Sequence, residues 1–94
     1  MWLETITLQT HHSCKMAIEG IYREVMRETS HASIQVSAFF HHGAVLNVTW
    51  HLHHHNAVQD GSEQGEHLVA LLERFGPVHH RAWQPLNNQI SRRE

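Results

Sequence analysis

Twelve of the 94 residues are histidine, and six of them gather around one apolar segment. His51, His53, His54 and His55 follow one another in LNVTWHLHHH, with His41 and His42 just upstream. Imidazole titrates near neutral pH and is the commonest neutral metal ligand, so such a run points to acid–base chemistry or to metal binding. In an extended chain His51, His53 and His55 fall on one side, their Cβ atoms about 6.5–7 Å apart. A His-x-His pair of this kind can place two nitrogens on one ion. His41 on a neighbouring strand is the third ligand the sequence offers, with His79 as a substitute, and zinc, copper or nickel would accept the set. No carboxylate is expected beside the rings to orient them, as ligating histidines usually require, because Glu4 falls on the other face of the first strand and Asp60 in a loop.

Other residues carry weaker signals. His79, Arg81 and Trp83 alternate along a late segment, where a guanidinium, an indole wall and an imidazole could hold an anionic ligand or join two subunits. Cys14 follows His11 and His12 at an expected helix start, which would favour a thiolate. It also falls on the apolar stripe of that helix, and a core role is the stronger reading.

Positioning these groups requires a sheet. Trp2 to Gln9 reads as a strand. Cys14 to about Glu28 reads as a helix, with Cys14, Ile18, Ile21, Tyr22 and Val25 on one stripe, Glu19 and Arg23 paired on the other, and Thr10 or Ser13 as cap. Ala32–Phe40 and Val45–His53 are strands joined by a turn at Gly43. If each buries its apolar set, Ile34, Val36, Ala38 and Phe40 must face the same way as Leu46, Val48, Trp50 and Leu52. That needs an odd loop, opposing Phe40 with Leu46, Ala38 with Val48 and Val36 with Trp50, and a positive φ at Gly43 or a neighbour. Asp60 and Glu63 form a start signal for a second helix to Phe75, with Leu68, Leu71, Leu72 and Phe75 as its stripe and Gly76-Pro77 as its stop. Val78–Gln84 is a last strand.

The order βαββαβ predicts an α+β fold, a ferredoxin-like sandwich. Its four-stranded antiparallel sheet, ordered 4-1-3-2, would carry two helices on one face. A single domain over 1–94 is expected, its core about 2–84 and its tail 85–94. The open sheet face would then carry Thr5, Thr7, Gln9, Gln35, Ser37, Phe39, His41, Asn47, Thr49, His51, His53, His79, Arg81 and Trp83. Phe39 and Trp83 are large for a bare surface, so two copies would stack open face to open face. This topology resembles the dimeric α/β barrel group, which includes the antibiotic-biosynthesis-type monooxygenases and haem-degrading enzymes. Haem-degrading members pair an asparagine on the first strand with a tryptophan and a histidine. Here the first strand has Thr5 and Thr7, Trp50 is placed under the helices, and His67 alone is suitably located, so that activity is not carried over.

Composition narrows the classes. Charged residues are 17% and apolar residues 40%, which excludes a disordered chain. The net charge is −2 with neutral histidines and would reach +10 with all twelve protonated, so assembly or solubility should change between roughly pH 5 and 7. A near-neutral chain with one lysine is not expected to bind nucleic acid. The RNA-reading version of this fold stacks bases on central-strand aromatics, and the matching positions are Thr5, Thr7, Thr49 and His51. A single cysteine suits a reducing compartment, the first residues do not read as a signal peptide, and no apolar run reaches the ~20 residues of a membrane span. The sequence reading is therefore a cytoplasmic homodimer binding a small molecule through His51, His53, His79, Arg81, Trp83 and Phe39. Its alternatives are a metal protein using His51, His53 and His41, an assembly module, or a small cofactor-independent enzyme.

Overall fold

The computed structural model describes residues 1–28, 33–54, 56–58 and 61–86. The expected helix stop at Thr29-Ser30-His31, the strand start at Ala32, His55, the Asp60 cap and the last eight residues of the tail lie outside them. The elements are β1 (Trp2–Gln9), α1 (Lys15–Glu28), β2 (Ile34–His41), β3 (Ala44–His51), α2 (Glu63–Leu72) and β4 (Val78–Trp83). Short 3-10 turns, His12–Cys14 and Glu73–Phe75, lead into α1 and extend α2. The four strands form one antiparallel sheet ordered β2-β3-β1-β4, so the fold is α+β.

Alternation sets the two faces. On β1 the even positions Trp2, Glu4, Ile6 and Leu8 are buried. Ile6 and Leu8 join Val45, Ile18, Tyr22, Val25, Leu68 and Leu72 in one core, which places both helices on that side. α1 buries Ile18, Tyr22 and Val25, at i, i+4 and i+7, with Cys14 and Ile21 packed beside them. Its exposed ion pair is Glu24–Arg27 at 3.0 Å rather than Glu19–Arg23. The Thr10 hydroxyl is buried without a hydrogen-bond partner among the described residues and caps nothing. Ser62 caps α2, its hydroxyl accepting from the Gly65 N–H at 3.0 Å.

The expected hairpin parity is overturned, and much follows from it. The β2–β3 hairpin closes with His41 opposite Ala44, leaving a two-residue turn, His42-Gly43. Both turn residues have positive φ, 45° and 82°, as a type I′ turn demands. The even loop reverses the parity of β3. Phe40 faces Val45, Ala38 faces Asn47 and Val36 faces Thr49, while Ser37 faces Val48. Val45, Asn47, Thr49 and His51 therefore lie under the helices, and Leu46, Val48 and Trp50 lie on the open face with Leu3, Phe39 and Trp83. The open surface is more apolar than the alternation of β3 implied. The covered surface has taken in a glutamate, an asparagine and a histidine.

Candidate site at the Glu4 carboxylate

The covered face divides along β1. Toward Leu8 it is apolar; toward Trp2 it is polar. Glu4 has no solvent exposure. An isolated carboxylate there would be prohibitively costly, so its partners decide its state. Oε1 accepts from the Ser62 hydroxyl at 2.6 Å and from His51 Nε2 at 2.9 Å. Oε2 accepts from the Ser62 backbone N–H at 2.8 Å and from His80 Nε2 at 2.6 Å. Burial by itself pushes the carboxyl pKa up. The Ser62 hydroxyl, His51, the Ser62 N–H and His80 together outweigh that and hold it below its ordinary value. Glu4 is thus an anion at neutral pH and accepts only, which assigns a proton to Nε2 of both His51 and His80.

Each partner comes from a different element. Glu4 is central in the sheet, His51 ends β3, His80 lies on the covered side of β4, and Ser62 opens α2. The helix N-terminus adds its dipole toward the carboxylate. Close approach requires glycine: a Cβ on Gly65 would collide with the Glu4 carboxylate, and one on Gly61 with both Glu4 and the His80 ring. Trp2, opposite His51 in the register, stacks on its imidazole, and His54 meets that ring edge-on at 6.4 Å.

A cavity of about 330 Å³ opens beside this centre, lined by Trp2, Ile34, His51, His54, Asn56 and Gln64 among others. Ser62 and Glu63 complete one rim, and no lysine or arginine contributes. His51 Nε2 is committed to Glu4, so Nδ1 is the remaining polar atom of a ring that lines the cavity. Ser62 is not placed as a nucleophile: its hydroxyl donates to Glu4 and accepts from Gly65.

The residues singled out from sequence are dispersed. His51 is buried on the covered face, 3% exposed, and not on the open one. His53 and His54 follow β3 and are exposed. His41 is exposed at the far end of the hairpin, edge-on to His42 at 4.3 Å. It pairs with Ala44, seven residues from His51 along β3, or roughly 23 Å at strand spacing. His41 and His51 therefore do not share a metal position, and among the described residues no group of three His, Cys, Asp or Glu is placed to hold one. His79, Arg81 and Trp83 do lie together on the open face, opposite Thr7, Thr5 and Leu3, and the Trp83 indole N–H donates to the Thr5 hydroxyl at 2.7 Å. Phe39 shares that face on the opposite edge strand. Cys14 is a free, half-buried thiol packed against the core.

Glu4, His80 and Ser62 were missed, although a signal for them exists. An acid at a core position between Trp2 and Ile6 demands a partner, and His80 has the same inward parity between Val78 and Ala82. No family model matches the chain, and no curated protein or solved structure matches it. No helix among the described residues is long and apolar enough to cross a membrane.

Proposed function

We propose that this chain is a small-molecule-binding protein of the ferredoxin-like type whose site is the cavity beside His51. The observation that carries the reading is the buried, ionised Glu4 bonded to an imidazole that lines that cavity. A carboxylate–imidazole pair fixes the ring and its tautomer, which is what general acid–base chemistry and directional ligand binding both need. The Trp2 face supplies an apolar wall, while Asn56, His54 and Gln64 supply polar groups. With Glu63 at the rim and no cation, an uncharged planar polar molecule suits the cavity better than an anion. Free Cys14 fits a reducing compartment, and a cytoplasmic setting belongs to this reading.

A matched set tests it: benzamide, benzoate and benzamidine titrated into the ¹⁵N-labelled protein. Benzamide should shift the amides of Ile34, His51, Asn56 and Gln64 more strongly than benzoate, and His51→Phe should abolish the effect while preserving the fold. Equal shifts in His51→Phe, or none at these amides, would remove the proposal.

A second reading has its own observation. The open face exposes Phe39 (57%), Trp83 (48%) and Leu46 (39%), with Leu3, Val48 and Trp50 half-buried between them. Such a surface suits a homodimer of the dimeric α/β barrel kind, with His79 and Arg81 at the seam and the protein acting as an assembly module. Light scattering should then give twice the 10.9 kDa chain mass, and Val48→Glu at the centre of the face should halve it. A monomeric wild-type protein at high concentration would end this reading.

A further inference from the structure

A second and larger cavity, about 490 Å³, lies between α1 and the hairpin strands β2 and β3. Its walls include Ile18 and Met26 from the helix and Ala38, Phe40 and Val45 from the strands, with Tyr22 among them. Tyr22 is 8% exposed, and its hydroxyl has no hydrogen-bond partner among the described residues. Buried hydroxyls are ordinarily paired, so an orphan beside a cavity marks a place for a polar atom of something else. Burial pushes this phenol well above its usual range, which keeps it a donor. The cavity mouth carries Lys15, Glu19 and Arg23 at successive i+4 steps. The Lys15 ammonium stands 5.5 Å from the Phe40 ring centroid, and neither Lys15 nor Arg23 is in an ion pair among the described residues. Glu19 opposes them and leaves a net charge of +1 at the mouth.

We propose that this cavity binds a small amphiphilic carboxylate, its carbon chain against Ile18, Met26 and Phe40 and its head group held by the Lys15 ammonium and the Tyr22 hydroxyl. Apolar walls with a few placed polar groups are the usual make-up of a ligand pocket, and the volume falls within the usual range of about 300–1,000 Å³. The site is separate from the Glu4 centre and does not depend on it.

Octanoate and octanol, equal in chain length and different in charge, distinguish a built site from a greasy surface. Titrated into the ¹⁵N-labelled protein, octanoate should give saturable shifts centred on Tyr22, Ala38 and Phe40, with octanol at least about five-fold weaker because it lacks the charge-assisted bond. Lys15→Gln and Tyr22→Phe should each weaken octanoate by about three-fold or more, and Glu19→Gln should tighten it. Three results overturn the proposal: no saturable shift up to about 5 mM, shifts centred on the open-face residues Trp50 and Trp83, or affinity indifferent to the head group and to the Lys15 and Tyr22 substitutions.

Discussion

The indole of Trp2 lies flat on the imidazole of His51, their centroids 3.9 Å apart and their planes 8° from parallel. The two residues face each other across β1 and β3, so the stack is a cross-strand pair that also seals the Glu4–His51 hydrogen bond from water. Removing the indole leaves a void and opens that bond. Trp2→Ala should destabilise by about 3–5 kcal/mol and Trp2→Phe by much less, measured by urea unfolding.

Glu4 gives stability a defined pH dependence. Its pKa in the folded protein lies below the ordinary 4.5, so the ionised form contributes stability above that value, and the contribution drains away as pH falls through the folded-state pKa. Glu4→Gln should cost about 2–4 kcal/mol at pH 7, since it leaves two imidazole donors without an anion. The gap between wild type and Glu4→Gln should narrow steadily below pH 4.5 in denaturant titrations. A constant gap would mean that folding does not lower the Glu4 pKa.

Two glycines should respond in opposite directions to the same substitution. A Cβ on Gly20, inside α1, meets nothing within 4 Å, and Gly20→Ala should stabilise by about 0.5–1 kcal/mol through helix propensity. Gly65 is also helical, but its Cβ would collide with the Glu4 carboxylate. Gly65→Ala should therefore destabilise by about 2 kcal/mol or more and melt at a lower temperature, despite the better helix former.

His42 occupies a left-handed turn position at φ 45°. Asparagine tolerates this region better, and His42→Asn should stabilise by about 0.5 kcal/mol, seen as a small rise in melting temperature with no shift of the β2–β3 amide resonances.

How far the sequence could be read follows from where local chemistry was decisive. β1 has its expected bounds, and its alternation of apolar and polar residues assigned both faces correctly. His79, Arg81 and Trp83 on β4 fell where their parity placed them. β3 did not, because its own pattern is misleading: Leu46, Val48 and Trp50 are the greasier set, yet they face out. What overrides them is the length of a turn and the need of Glu4 for a donor, and neither is visible within eight residues of strand. For α2 the start signal offered by the sequence was Asp60 with Glu63, whereas the cap is Ser62, whose hydroxyl serves the helix and the carboxylate together.

The brevity of the His42-Gly43 link makes it a reading-frame device for the sheet. One inserted residue there would rotate all of β3 by half a turn, carrying the Trp50 indole inward and the His51 ring out to solvent. A buried anion would then be stripped of a proton donor by an edit at the opposite end of the strand.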